Sequence, residues 1–254
     1  MAEGFQALVL AGSRGGVDPV AEYAHVSQKG LIVLGGQTLL ARVLGALDAA
    51  GATRIGVSTN DKALEAALAT EKTRASLQRL PSAAGPSQSV HEGAQALGTP
   101  LLVTTVDHAL LRPEWVTDFM ADTPEGADIA ILLGEETLVQ AAAPTTKRTY
   151  LAFRDGRYSG CNLFYLRTPR ALQAIDLWRK VEQYRKQPWK IAAMLGPVIL
   201  VRYLLGLMTL DETVARIGAL ADVKAVAVRA RHGLAAVDVD KPSDLDLVRS
   251  IVEG

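Results

Sequence analysis

The sequence predicts a single α/β domain over residues 1–254, with a mainly parallel sheet, helices on both faces, and a helical insertion at about 169–220. Three observations carry this reading. Short continuous apolar runs at residues 7–10, 101–106 and 128–133 have the length and composition of strands buried on both faces. Helical patterns separate these runs, and strands alternating with helices make βαβ units. At 254 residues, 49% of them hydrophobic and 21% charged, the chain can bury a sizeable core, and no repeat or low-complexity linker divides it.

In order, the first strand at 7–10 ends in a glycine-rich loop. A helix at about 37–50 follows, with leucines at 39, 40, 44 and 47 and Gly51 as its stop. Residues 55–59 read as the second strand, and Asp61 caps the Ala/Leu-rich helix after it. A helix from about Ser87 to Gly98, a strand at 101–106, a helix opened by Pro113 and a strand at 128–133 continue the alternation. The pattern then changes. Residues 149–158 read as a β-hairpin with Asp155-Gly156 in a two-residue turn. Helices fill 169–220, residues 223–228 and 236–239 read as closing strands, and Pro242 opens the last helix.

Charge is balanced overall but not locally. Twenty-seven Lys/Arg match twenty-seven Asp/Glu, which leaves no global footprint for nucleic acid. Residues 147–190 carry eleven Lys/Arg against three Asp/Glu, whereas residues 1–146 carry nine against sixteen. A basic segment in a neutral chain points to an anionic ligand or surface met by that region, or to a solvated basic helix face. Cys161 is the only cysteine, which excludes a disulfide framework and a Cys-based zinc site. The first residues lack a charged and apolar leader, so a cytoplasmic protein is expected. The apolar stretch 191–210 is broken by Gly196-Pro197, Arg202 and Gly206 and reads as a buried helix pair. An interfacial segment docking on anionic lipid is the alternative, since aromatics and Lys/Arg lead into it.

Several segments carry chemistry. Leu10-Ala11-Gly12 opens a loop in which Gly12, Gly15 and Gly16 let backbone N–H groups approach an anion and Arg14 adds a bidentate phosphate donor. The dinucleotide fingerprint fails here: the spacing is G-x-x-G-G, and the second strand ends in Ser58-Thr59-Asn60. The Walker loop fails too, because no Gly-Lys-Ser/Thr is present. Lys29 follows, ahead of Gly35-Gly36-Gln37-Thr38-Leu39-Leu40. Gly85 to Val90 place hydroxyls at a helix N-terminus, a binding feature or a simple cap. Asp107 ends a buried strand, where open α/β sheets bind ligands and where a carboxylate suits Mg²⁺. His108 lacks partners and reads as structural. Near the end, Asp238 and Asp240 fall on one side of a strand by alternation.

The order Leu-Ala-Gly-x-Arg-Gly, then Lys29, then Gly-x-x-Leu-Leu resembles the MobA-like NTP transferases. More broadly it resembles nucleotidyltransferases of the glycosyltransferase-A-like fold, including methylerythritol-phosphate cytidylyltransferases and sugar-1-phosphate nucleotidyltransferases. The likeness covers about residues 5–165 and 223–253, and the segment 17–28 is longer than the usual loop. It implies a three-layer α/β/α, Rossmann-like domain with a mixed, mainly parallel sheet. By position, Arg14, Lys29 and Asp107 would be catalytic, and Leu10, Ala11, Gly12, Gly15, Gly16, Gly85 and Ser89 would bind nucleotide. Asp107 would bind Mg²⁺ together with Asp238 or Asp240, with Asp238 slightly favoured. Gly160 and Asn162, on the strand after the hairpin, match the acceptor side, with Arg154 and Arg157 beside them.

The implied reaction moves an NMP, CMP favoured, from an NTP to a phosphorylated small-molecule acceptor with release of pyrophosphate. A glycosyltransferase of the same fold and a catalytically silent nucleotide-binding regulator are the alternatives. The helical block could lid the pocket, touch a membrane through 190–210 or form a homodimer surface.

Overall fold

The computed structural model describes residues 4–12, 18–184, 190, 194 and 196–254. Its main sheet joins β1 (Phe5–Leu10), β4 (Ala52–Ser58), β5 (Ser76–Leu80), β6 (Leu101–Thr105), β7 (Ile129–Glu135), β9 (Gly156–Leu166) and β10 (Ala225–Arg229) in the order β10-β7-β9-β6-β1-β4-β5. The short β8 (Leu151–Phe153) pairs with β9, and β2 (Val33–Leu34) and β3 (Gln37–Thr38) form a small separate hairpin. β1 runs parallel to β4 and β6, as does β4 to β5 and β7 to β10. β9 alone is antiparallel to both its long neighbours, β6 and β7. The sheet is therefore mixed and mainly parallel, as expected.

Burial explains why the strand signal was continuous rather than alternating. Ala7, Leu8 and Val9 of β1 are all fully buried, because helices cover both faces. On one face, Ala7 and Val9 join Leu40, Val43 and Leu44 of α2 (Leu39–Ala49), Trp115 and Phe119 of α5 (Pro113–Asp122), and Leu245 and Val248 of α10 (Pro242–Glu253). On the other, Leu8 joins Val90 and Ala94 of α4 (Pro86–Leu97), Ile175 of α7 (Ala171–Gln183) and Val214 of α9 (Leu210–Leu220). Gly93 lets α4 approach β1 closely, since a Cβ there would run into the Leu8 side chain.

The start signals are met by side chains. Thr38 caps α2 by accepting from the Ala41 amide at 3.0 Å, and Asp61 caps α3 (Lys62–Thr70) by accepting from Leu64 at 2.8 Å. Gly51, at φ +98°, takes the left-handed conformation that ends α2.

Four expectations are corrected. The helix after the loop starts at Leu39 rather than 37, because Gln37 and Thr38 pair with β2. The stretch before it is not all loop: Asp18 caps α1 (Pro19–Tyr23), and a 3₁₀ turn spans Lys29–Leu31. The hairpin turn is Arg154-Asp155, since Phe153 pairs with Gly156, which sits at φ +146°. Residues 236–239 form no strand. A 3₁₀ turn at Gly233–Ala236 ends pairing there, and Val239 donates instead to the Asp107 carbonyl at 3.1 Å. The edge strand β5 and α6 (Glu136–Ala142) are additions without a prior signal.

The helical block comprises α7, α8 (Pro197–Leu204) and α9 among the described residues. α7 is seated by Trp178 stacked on Phe164 at 5.8 Å, and α8 by Tyr203 edge-on to Phe153 at 5.7 Å. α8 is not the buried helix expected of 191–210, for Val201, Leu204, Leu205 and Leu207 face solvent. Residues 191–193 and 195 lie outside the described residues. No helix among those described is long and apolar enough to cross a membrane.

Candidate active site

The carboxyl ends of β1, β4 and β6 open into one cleft of about 540 Å³. That is the sheet edge at which open α/β folds bind ligands, and the volume suits a nucleotide-sized molecule. Leu10 and Gly12 form its floor at the end of β1. Gly85 and Ser89 enter from the N-terminus of α4, and Asp107, Lys29, Asn162 and Asp240 close the far wall. Ala11, fully buried, supports the floor from below. Gly12 must be small, because a Cβ would collide with the Ser82 side chain. Arg14, Gly15 and Gly16 lie outside the described residues.

Lys29 owes its place to its neighbour. Gln28 is buried, donates to the Ala11 carbonyl at 3.0 Å and accepts from the Gly30 amide, which pins the 3₁₀ turn against the end of β1. The Lys29 ammonium pairs with Asp107 and lies 3.5 Å from Asp240. Burial works against the charge on Lys29, but Asp107 and then Asp240 outweigh it and raise its pKa. Asp107 also accepts from Thr105 on the preceding strand, so its carboxylate is oriented on both oxygens.

The terminal aspartates do not share one environment. Asp238 is buried, accepts from both terminal guanidinium nitrogens of Arg148, and accepts from the Asn162 amide. Asp240 has 59% of its side chain exposed and faces the cleft. Its carboxyl is shifted upward by burial of its inner side and by Asp238 and Asp107, a shift that its exposure to water screens. It does not cap α10, because Asp244 does so by accepting from the Asp240 and Lys241 amides at 3.2 and 3.0 Å.

Arg148 is the residue that sequence reasoning missed. It lies in a stretch without regular structure between α6 and β8, where no periodicity marks it. Burial opposes its charge and Asp238 more than restores it. Asn162 reaches the cleft through a left-handed backbone at φ +51°, a conformation Asn tolerates better than most residues.

The other acceptor-side residues do not line the cleft. Arg154 is exposed in the hairpin turn, Arg157 pairs with Glu136 at 2.7 Å on the surface, and Gly160 faces solvent. Ser89 lines the cleft, yet its hydroxyl already accepts from the Ala83 amide at 3.0 Å. His108 is fully buried, and desolvation lowers its pKa to about 4, leaving it neutral and packed 6.2 Å from Trp115.

The model of the MobA-like NTP transferase domain matches residues 7–188. The chain belongs to that family. MobA-like NTP transferases are nucleotidyltransferases, and solved structures agree at the level of fold. A hypothetical transferase from Thermus thermophilus is 30% identical, with a TM-score of 0.81 over 96% of this chain and 100% of that one. A nucleotidyl transferase from Methanothermobacter thermautotroptrophicus is 20% identical, with a TM-score of 0.56 over 98% and 97%. A 4-diphosphocytidyl-2C-methyl-D-erythritol synthase from Anaerococcus prevotii is 10% identical, with a TM-score of 0.60 over 99% and 97%. No curated protein sequence matches the chain.

Proposed function

We propose that this MobA-like transferase moves an NMP, CMP favoured, from an NTP to a phosphorylated small-molecule acceptor in a Mg²⁺-dependent reaction. The observation that carries the reading is the convergence of Lys29, Asp107 and Asp240 in the cleft that Gly12, Gly85 and Ser89 also line. The cytosine preference is supported by relatives of the same fold. One is a CMP:2-keto-3-deoxy-manno-octonic acid synthetase complexed with CTP, another a CTP:phosphocholine cytidylyltransferase.

The donor set fits Mg²⁺: two carboxylates meet at one cation, and hard oxygen ligands completed by substrate phosphates are what that metal takes. Asp107 and Asp240 are the residues that would hold it, and bound there it would neutralise charge on the triphosphate and the departing pyrophosphate. Lys29 would then exchange its carboxylate partners for phosphate oxygens. Arg14, four positions after Leu10 in the sequence, would grip the triphosphate tail. An acceptor phosphate oxygen attacks the α-phosphorus as the bond to the β-phosphate oxygen breaks. A phosphate nucleophile is already ionised near neutral pH, so no general base is required, and the one histidine near the centre is buried and neutral.

The test is a matrix of CTP, GTP, UTP and ATP against sugar- and polyol-phosphates with Mg²⁺, read as pyrophosphate release. Release with CTP and a phosphorylated acceptor, lost in Asp107→Ala, is expected. Release that persists undiminished in a folded Asp107→Ala protein overturns the assignment. Transfer from a nucleotide-sugar without pyrophosphate would instead favour a glycosyltransferase.

A further inference from the structure

Lys29 is the one cation among the described residues that line the cleft, and it sits where the two proposed metal ligands meet. Its ammonium pairs with Asp107 Oδ2 and stands 3.5 Å from Asp240 Oδ1, with 18% of the lysine side chain exposed. The backbones that carry these groups are tied together. Gly30 packs so closely on Leu64 and Val106 that a Cβ would collide with both, which seats the Lys29 turn against the residue before Asp107. The Val239 amide bonds to the Asp107 carbonyl at 3.1 Å, which brings Asp240 to the same edge. Thr105 donates to the Asp107 oxygen that the lysine does not take. Asp18 lines the cleft as well, so its described walls carry three carboxylates against one ammonium, a net charge of −2.

We infer that the Lys29 ammonium holds the divalent-cation position in the ligand-free protein, so that a metal ion enters only with an anionic ligand that draws the lysine off. Under the nucleotidyl-transfer reading, on which this last part rests, that ligand is the NTP. Two cations cannot share one pair of carboxylates cheaply, because charges in a partly buried site repel more strongly than in bulk water. Mg²⁺ arriving alone must displace a partner tethered beside those carboxylates and shed water that it gives up reluctantly. A triphosphate arriving alone meets the opposite obstacle, described walls with two negative charges in excess. Together they remove each other's obstacle. The phosphates give the ammonium new oxygen partners while the cation takes the carboxylates, and no charge is left buried alone. Such coupling is reciprocal: whatever factor the nucleotide adds to metal affinity, the metal adds to nucleotide affinity. Lys29 thereby makes the site answer to the metal–nucleotide complex and ignore free metal.

Mn²⁺ binding to the full-length protein, read by electron paramagnetic resonance without nucleotide, tests the exclusion with no turnover involved. Lys29→Met should bind Mn²⁺ roughly tenfold or more tighter than the wild type, within the usual range of coupling between sites. Adding Asp107→Asn should abolish that gain, and Lys29→Arg, which keeps the charge, should stay as weak as the wild type. Lys29→Gln removes the charge but keeps an amide that donates to Asp107, so it carries the test if the Met variant melts early. Wild-type protein that takes up Mn²⁺ as tightly as the neutral variants overturns the inference. So does a gain that survives Asp107→Asn, which would place the ion elsewhere, and so does absence of Mn²⁺ binding by folded neutral variants. Pyrophosphate release by the wild type is a separate readout. Release beside unchanged Mn²⁺ binding discards the lysine's role alone, and no release beside the gain discards the transferase reading alone.

Discussion

At the scale of single residues, the proposed chemistry turns on how two aspartates two positions apart are treated. Had 236–239 been a strand, Asp238 and Asp240 would point the same way. The chain leaves regular structure instead, and Val239 bonds back to the end of β6, turning one carboxylate toward Arg148 and the other toward Lys29. The two should therefore fail differently on substitution. Asp238→Ala strands a buried guanidinium, and losing one member of a buried pair costs about 3–5 kcal/mol, so a large fall in melting temperature is expected. Asp240→Asn touches a half-exposed group and should leave melting nearly unchanged, while pyrophosphate release falls and needs more Mg²⁺. Equal effects of both changes on stability would refute the division of labour. Asp107 was legible in the sequence because a polar residue after a buried strand has few places to be. Arg148 was not, because its role comes from a contact across 90 positions in sequence.

At the scale of elements, the parallel core was readable because covering both faces of a strand makes it continuously apolar. The edge strand β5 escaped for the converse reason: it pairs on one side only, and its residues are partly exposed and mixed in polarity. Asp128 illustrates how the closing strand β10 is held, although no local motif announces it. Its carboxylate accepts from Thr168 at 2.6 Å and from the Lys224 amide at 2.9 Å, joining the ends of β7, β9 and β10. Those two bonds hold its pKa below the ordinary aspartate value of 3.8. A depressed carboxylate contributes stability that is complete above the ordinary value and is lost as pH falls through the lower, folded one. Melting of the wild type should thus drop more steeply than that of Asp128→Asn between about pH 4 and pH 3; parallel curves would show that the carboxylate is not a determinant. The α7–α4 joint gives a second expectation. Ser87 donates to Glu182 at 2.5 Å beside Gly85, at the mouth of the cleft. Glu182→Ala should cost about 1–2 kcal/mol of stability and raise KM for the nucleotide more than it lowers kcat. An unchanged KM would mean that the joint is structural only.

At the scale of the molecule, the site exists because distant parts of the chain close around one sheet edge. The floor comes from β1, the near wall from α4, and the far wall from β6, β9 and the approach to α10. The ends of the chain are clasped as well, with Tyr23 bonded to Asp246 and the Gly35 amide to Glu253 at 2.9 Å. A ligand that spans the cleft therefore links elements that otherwise meet through a few contacts, and binding only the folded state must raise its stability. At a hundredfold excess over Kd the gain is about 2.7 kcal/mol. For a chain of this size that corresponds to a melting shift of roughly 5–10 °C. The reading of Lys29 and the two aspartates adds a sign. Without a divalent cation, triphosphate would face two carboxylates that a single ammonium only partly neutralises. CTP with Mg²⁺ should therefore shift melting well beyond CTP with EDTA, and Asp107→Ala, which removes a proposed ligand of the cation, should shrink that difference. A thermal scan in which no nucleotide shifts the wild type, with or without Mg²⁺, would separate this cleft from nucleotide altogether.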